Sequence, residues 1–255
     1  MKPGVFQVDK LVVRVFQDRV SAGAAAADEA AAVLRATLAR QELGRVILAS
    51  APSQNEMLDR LTVAQGIDWG RVVVFHLDEY IGLPQAHPAS FRTYLRRAFL
   101  SRVTPRIFHG IAGEAQATET ECARYADLLA EAPIDLACVG VGENGHIAFN
   151  DPPADFHEVA LVKIVTLDEA CRRQQVHDGC FGELKEVPSR AITLTCPAIM
   201  AARHLVCIAP GPRKAAAVSA MLSGKIRPDC PASVLRSHPA AGMFLDLASA
   251  AAMSV

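Results

Sequence analysis

The loop at residues 139–153, VGVGENGHIAFNDPP, concentrates residue types that can move protons. It follows an apolar run, and its glycines allow the backbone to approach a ligand closely. His146 can titrate near neutral pH, and Asp151 can orient its ring and stabilise its charge, with Asn144 close by in sequence. The simpler alternative is a glycine-rich connection that carries a surface histidine. Because the loop contains neither serine nor cysteine as a nucleophile, we predict proton transfer on a sugar rather than acyl transfer.

An acidic pair, Asp78 and Glu79, directly follows the apolar run at 71–77. A carboxylate at the end of a rigid strand is well placed to act as a general base, whereas the alternative is a solvated strand end or a helix cap. Side chains alternate along an extended segment, so only one of the two acids can face a site. We expect Asp78 to be the base and Glu79 to fix the loop.

Two further segments offer groups for an anion. The polar loop at 50–55 follows another apolar run, and a helix is expected to open at 211–214. The amino terminus of a helix attracts anions. As candidates to bind an anionic substrate, these segments and the histidine loop offer Ser50, Ser53, Gln54, Gly145 and Lys214.

Apolar runs alternate with helical stretches along the whole chain. Strands are expected at 11–16, 45–49, 71–77, 134–141, 159–165, 191–195, 205–208 and 242–245. Helices are expected from Asp18 or Ser21 to about Gly44, from Asp168 as a cap to Gln175, and at 56–65, 89–100, 114–130 and 212–222. This alternation predicts an α/β fold: a single domain over residues 1–255 with a doubly wound, mostly parallel sheet and helices on both faces. In such a sheet the loops at the carboxyl ends of the strands converge, which would bring the candidate residues together.

The composition excludes several function classes. With 51% hydrophobic residues, 21% charged residues and a formal net charge of −1, the chain is globular and has no basic footprint for nucleic acid. No apolar run is long enough to span a membrane, and the start of the chain lacks a signal-peptide core, so we expect a cytoplasmic protein. The seven cysteines are scattered without a CxxC pair, which favours reduced thiols. The sequence leaves open whether the chain forms a homo-oligomer.

The sequence gives only weak support for a metal site. His76, Asp78 and His146 are potential ligands, but no HxH or HExxH pattern is present. We therefore predict no metal.

Two motifs resemble the signatures of glucosamine-6-phosphate deaminases, also called isomerases. These are LDEYIGLP at 77–84 and GVGENGHIAFNDP at 140–152, and weaker similarity extends over 46–246. The resemblance implies a modified Rossmann-like fold and a cofactor-free conversion of glucosamine 6-phosphate to fructose 6-phosphate and ammonia. It also implies that His146 opens the pyranose ring, assisted by Asn144 and Asp151, and that Asp78 moves a proton from C2 to C1. Lys214 matches a phosphate-contacting lysine of that family.

The chain departs from the family pattern at several positions. The family usually has glutamate at position 151 and, in some members, aspartate at 144. It also has a TGG or TGS turn where this chain reads Ala51-Pro52-Ser53. Arg172 and Arg173 are the candidates for a second phosphate-binding arginine of the family. The alternative functions are a 6-phosphogluconolactonase, a galactosamine-6-phosphate deaminase, and a sugar-phosphate-binding regulator without turnover.

Overall fold

The computed structural model describes residues 2–253, which build a large eight-stranded sheet and a small three-stranded one. The strands of the large sheet are β1 (Gly4–Val8), β2 (Leu11–Phe16), β3 (Gly44–Leu48), β4 (Val72–His76), β6 (Ile107–His109), β7 (Leu136–Val139), β10 (His204–Ile208) and β11 (Ala241–Asp246). Their order is β1-β2-β11-β10-β7-β3-β4-β6, and every pair is parallel except β1 with β2. The predicted α/β fold with a mostly parallel sheet is confirmed.

The small sheet was not expected. It contains β5 (Asp78–Tyr80), β8 (Val162–Thr166) and β9 (Arg190–Leu194) in the order β5-β9-β8, and both pairs are antiparallel. The placement of the segments 159–165 and 191–195 in one parallel sheet was therefore wrong. The physical reason is visible in β8, of which most residues are only partly buried, as is typical of an antiparallel sheet with one covered face.

In the part of the chain that the structure describes, seven α-helices connect and cover the strands. They are α1 (Arg19–Leu38), α2 (Asn55–Thr62), α3 (Phe91–Leu95), α4 (Thr118–Ala130), α5 (Glu169–His177), α6 (Cys196–Met200) and α7 (Ala215–Leu222). Asp18 caps α1 by accepting a hydrogen bond of 2.7 Å from the Ser21 amide, so Ser21 lies inside the helix and is not its cap. The helix ends at Leu38, and Gly44 begins β3 instead of capping α1. None of the helices among residues 2–253 has the length and apolar character to cross a bilayer.

The core lies on both faces of the large sheet because side chains alternate along its strands. On β7, Ala137 and Val139 pack into one cluster, whereas Leu136 and Cys138 pack into the other, together with the alanine-rich face of α1. A third cluster, rich in aromatic residues, joins the small sheet to α3 and α5. The two sheets therefore meet at the carboxyl end of β4, where the chain passes from β4 into β5 within one residue.

Candidate active site

A cleft of about 200 Å³ lies at the carboxyl ends of the parallel strands, lined by the loops that follow β3, β4, β7 and β10. Of the predicted site residues, those that line the cleft are Ser50, Ser53, Asp78, His146 and Lys214. Asn144 and Asp151 contact His146 from behind, and Gln54 and Gly145 do not line the cleft. The topology thus brings the expected loops together at one edge of the sheet.

Asp78 is buried at the start of β5, where it is paired with Thr193 of β9. Burial raises the pKa of its carboxyl well above the usual range, and the charge of the neighbouring Glu79 adds to this effect. A carboxyl with a raised pKa is a stronger base once it is ionised. Asp78 can therefore accept a proton from a carbon-bound position in the cleft.

Glu79 points away from the cleft and anchors the segment that follows, as the alternation of side chains predicts. It is fully buried and accepts hydrogen bonds from the Ser90 hydroxyl at 2.7 Å and from the amides of Tyr80, Phe91 and Arg92 at 3.1 Å. The Arg92 guanidinium lies 3.3 Å from the same carboxylate. These bonds fix the start of α3 against β5 and hold the backbone next to Asp78 in place.

His146 lines the cleft, and its ring packs directly over Gly142. A methyl group at Gly142 would approach three ring atoms more closely than 3.0 Å, so only glycine allows this position of the ring. The Gly142 amide also donates a hydrogen bond of 2.9 Å to the His146 carbonyl. Gly142 was not predicted as a functional position, although its spacing of four residues from the histidine is visible in the sequence.

Behind the ring, Asn144 and two carboxylates form a connected network. Nδ1 of His146 lies 3.3 Å from Oδ1 of Asp151. The Asn144 side chain accepts the His146 amide at 3.0 Å and donates to both Asp151 and Asp168 at 3.1 Å. The Asp168 amide donates to Oδ2 of Asp151 at 3.2 Å. Asp151, the shorter homologue of glutamate, therefore still reaches the histidine because the amino terminus of α5 holds it there.

These contacts also set the ionisation of Asp151. Burial alone would raise its pKa, but the contacts from His146, Asn144 and the Asp168 amide outweigh burial and lower it. Asp151 is therefore a carboxylate that can stabilise a charged histidine ring. Asp168 belongs to the site through two of these bonds, whereas the sequence indicated it only as a helix cap.

The opposite end of the cleft carries hydroxyls and a lysine. Ser50 and Ser53 lie at the end of β3 and in the short 3₁₀ turn Pro52–Gln54 that leads into α2. Lys214 is buried, and burial lowers its pKa, with Asp178 and Glu143 opposing this effect. Gln54 is buried behind Gly140, so its side chain supports the turn instead of facing the cleft.

The cleft is also lined by two arginines that were not predicted as site residues, Arg19 and Arg213. Arg19, the first residue of α1, donates to the Pro52 carbonyl at 3.0 Å and pairs with Glu56 of α2 at 2.7 Å. Arg213 pairs with Asp178 at 2.6 Å. No sequence signal links Arg19 to the turn, because helix packing alone brings α1 and α2 together.

The two arginines that were expected near the phosphate lie elsewhere. Arg172 donates to the carbonyls of Leu184 and Val187, and Arg173 pairs with Glu169 on the surface. Neither lines the cleft, and the same helix instead presents Gln174 and Gln175 to it. That candidate assignment was wrong because both arginines point to the other sides of α5.

Gly145 shapes the histidine loop from outside the cleft. It has a φ of +86°, in the left-handed region that favours glycine, and its carbonyl accepts the Ala232 amide at 2.9 Å. A methyl group there would lie 3.2 Å from the Cys230 sulfur. Gly145 is therefore placed to form the turn that carries His146.

Strand β9 connects Asp78 to the histidine loop. Thr193 pairs with Asp78 in the small sheet, and its hydroxyl accepts the Phe149 amide at 3.1 Å. The Asn150 side chain donates to the Leu194 carbonyl at 2.8 Å. One strand thus sets the separation between Asp78 and the loop of His146.

The potential metal ligands separate into two groups. His76 is fully buried and its Nε2 accepts the Ile111 amide at 2.8 Å, while burial, together with Arg92, lowers its pKa to about 3. His76 is therefore a core residue and does not join Asp78 and His146 in the cleft. Within residues 2–253, the one group of three potential ligand side chains close enough for a metal ion is His146, Asp151 and Cys171.

The chain is similar to known proteins over most of its length. The family of glucosamine-6-phosphate isomerases and 6-phosphogluconolactonases matches residues 17–243. A glucosamine-6-phosphate deaminase of Pseudarthrobacter chlorophenolicus is 38% identical over 195 residues, covering 75% of this chain and 74% of that protein. One from Arthrobacter is 35% identical over 237 residues, covering 91% of this chain and 88% of that protein.

Solved structures give the same result at the level of the fold. A monomeric glucosamine-6-phosphate deaminase superposes with a TM-score of 0.87 at 26% identity, covering 94% of this chain and 99% of that one. A 6-phosphogluconolactonase from Thermotoga maritima has a TM-score of 0.75 at 18% identity, covering 93% of this chain and 100% of that one.

Proposed function

The chain belongs to the family of glucosamine-6-phosphate isomerases and 6-phosphogluconolactonases, and on that basis we propose that it is a deaminase of an amino-sugar phosphate. Its substrate is glucosamine 6-phosphate, which it converts with water to fructose 6-phosphate and ammonia. The observation that carries the proposal is a single cleft with a buried carboxyl, Asp78, and the His146 network. The reaction needs no electron acceptor, because the change only redistributes oxidation level between C1 and C2.

Ring opening is the first step and belongs to His146. The imidazole of His146 takes the proton of the anomeric hydroxyl and returns a proton to the oxygen of the pyranose ring. The bond from C1 to that oxygen breaks, and an aldehyde forms at C1. Asp151 stabilises the charged ring during the exchange, as expected for an ionised carboxylate 3.3 Å from Nδ1. Asn144 holds both partners in position through its amide.

Isomerisation and loss of ammonia follow. Asp78 removes the proton from C2, and the electron pair forms the double bond between C1 and C2. The former C1 carbonyl oxygen takes a proton from the ammonium group on C2, which gives a neutral enolamine. Return of the proton on Asp78 to C1 leaves an imine at C2. Water hydrolyses the imine, which releases ammonia and leaves the ketone of fructose 6-phosphate.

The phosphate binds at the opposite end of the cleft. Lys214 supplies positive charge there, the hydroxyls of Ser50 and Ser53 can donate hydrogen bonds, and Arg19 adds a second cation above Pro52. Arg19 thereby replaces part of what a glycine-rich turn supplies through its amides. A cytoplasmic location, expected from the sequence, suits a substrate that its charge retains inside cells.

Product analysis tests the proposal. The protein is incubated with glucosamine 6-phosphate in D₂O, and ammonia and fructose 6-phosphate are measured. Deuterium at C1 of the product measures how often the proton on Asp78 exchanges with solvent before it returns to C1. Galactosamine 6-phosphate in parallel reports the epimer preference. Consumption of 6-phosphogluconolactone without ammonia release would replace the deaminase with a lactonase. Thermal stabilisation by glucosamine 6-phosphate without product would indicate a binding protein.

A further inference from the structure

We propose that His146, Asp151 and Cys171 form a Zn²⁺ site behind the histidine ring, and that Zn²⁺ bound there stops turnover. The inhibition rests on the proposed function, whereas the binding of the metal does not. The three side chains come from two segments, the histidine loop and α5, which pack against each other below the cleft.

The three ligand atoms are close enough to share one ion. They all lie within 4.8 Å of one another. Zn²⁺ binds nitrogen and oxygen at roughly 2.0–2.2 Å and sulfur at roughly 2.3 Å, which places tetrahedral neighbours about 3.5 Å apart. The distance between any two of these ligand atoms therefore has to shorten by at most about 1.3 Å, a change within reach of side-chain rotation.

One of the three ligands lacks a hydrogen-bond partner in the folded protein. Nδ1 of His146 is buried, and although Asp151 is 3.3 Å away, the two groups are not aligned for a hydrogen bond. The histidine side chain is only 10% exposed, so solvent cannot compensate for the missing bond. A metal ion between Nδ1, the carboxylate and the thiol would satisfy this atom.

The charge around the site favours a cation. Asp151 and Asp168 share the Asn144 amide, and in the described part of the chain neither is paired with a lysine or an arginine. Arg213, which also lines the cleft, pairs with Asp178 and Glu143 instead. The mixed nitrogen, oxygen and sulfur ligands favour Zn²⁺ over Mg²⁺, which prefers oxygen ligands alone.

Zn²⁺ bound to His146 would inhibit turnover by fixing the tautomer of the imidazole ring. The thiol of Cys171 loses its proton to solvent when its sulfur coordinates Zn²⁺, so binding releases one proton per ion. With Zn²⁺ on Nδ1, the proton of the neutral ring must reside on Nε2, which removes the lone pair that faces the substrate. His146 can then no longer accept a proton from the sugar. Because the phosphate end of the cleft is untouched, kcat should fall while KM changes little.

Cobalt and zinc titrations of the full-length protein test both parts. Co²⁺ should produce the near-ultraviolet absorption of a thiolate–cobalt bond, and Zn²⁺ should displace it. Cys171→Ser should abolish the band and weaken Zn²⁺ inhibition at least about 100-fold, since even outer-shell changes cost on the order of 10- to 100-fold in affinity. Cys196→Ser is the matched control, because Cys196 is equally buried but lies in α6. Cys171→Ala serves if the serine variant fails to fold.

The outcomes separate the binding of Zn²⁺ at this site from the inhibition of turnover by bound Zn²⁺. Absence of the cobalt band in the wild type, or equal zinc inhibition of wild type and Cys171→Ser, would overturn the site. A band without any loss of kcat would overturn the inhibition. If the protein released no ammonia at all, the proposed function would fail, and the cobalt band and proton release would still decide whether the metal binds.

Discussion

Replacing Gly142 by alanine tests whether catalysis depends on the position of the His146 ring, because the added methyl group should displace the ring. The backbone at Gly142 is not in the left-handed region, so alanine adds a methyl group without backbone strain. That methyl group would overlap three atoms of the ring, which packs directly against it. The ring must move away, while Asp151 and Asn144 remain held by their own hydrogen bonds.

The size of the effect follows from the overlap. Restoring an ordinary contact of 3.4 Å requires the ring to retreat by about 1 Å. A misplacement of about 1 Å costs on the order of a hundredfold in rate. This corresponds to about 2.7 kcal/mol of lost transition-state stabilisation, since each tenfold change in rate equals about 1.36 kcal/mol. We therefore expect Gly142→Ala to lower kcat/KM about a hundredfold.

Initial rates of ammonia release from glucosamine 6-phosphate measure this loss. Gly44→Ala is the matched control, because Gly44 is also buried but a methyl group there would meet its neighbours at an ordinary 3.5 Å. The control should keep its kcat/KM within about twofold, because surface and core changes without overlap leave distant sites in place. A Gly142→Ala enzyme with wild-type kcat/KM and an unchanged thermal midpoint would refute the reasoning that this ring position governs catalysis.

Two substitutions test the ionisable groups of the cleft. Asp78→Asn should lower kcat by roughly 10²–10⁴-fold, the usual contribution of a general base. Because burial raises the pKa of Asp78 in the folded state, its ionisation opposes folding above the unfolded pKa of roughly 3.9. The asparagine variant should therefore melt at a higher temperature than wild type at pH 7, and this difference in melting temperature should vanish near pH 4. An unchanged kcat would contradict the role of Asp78 as the base. An equal difference in melting temperature at both pH values would contradict its raised pKa. Lys214→Gln should raise KM about 10- to 100-fold, the value of a charge-assisted hydrogen bond. Since burial lowers the pKa of Lys214, the wild-type KM should rise on the alkaline side before pH 10.5 and that of the variant should not; a KM that is flat up to pH 10.5 in the wild type would contradict this role.

The inner strands of the large sheet were predictable because burial on both faces leaves a continuous apolar run. Five of these runs, at β2, β3, β4, β10 and β11, were located to within about one residue. The two edge strands, β1 and β6, were missed because they are partly exposed and lack such a run. The small sheet was not predictable, because β5 has only three residues and no local signal names its partner. Gly44 was misread since glycine is equally compatible with a helix end and with the start of a buried strand.

The chemistry of the site was more predictable than its binding surface. Asp78 and His146 stand directly after strands, so sheet topology alone carries them to the cleft. Arg19 and Gln174 reach the same cleft from helices, and their direction depends on how α1 and α5 pack against distant parts of the chain. Sequence spacing does not encode that packing, which is why Arg172 and Arg173 were named as candidates in place of their neighbours on the helix.

Strand β9 contacts both Asp78 and the histidine loop, through Thr193 and Leu194. Because both are hydrogen-bonded to the same strand, we expect a displacement of β9 to move Asp78 and the histidine loop together. The phosphate end, built on β3, α1 and α2, has no such tie to β9 among the hydrogen bonds of residues 2–253. Because these hydrogen bonds do not involve the turn at 51–53, a substitution of Ala51, Pro52 or Ser53 should leave the separation between Asp78 and the loop of His146 unchanged.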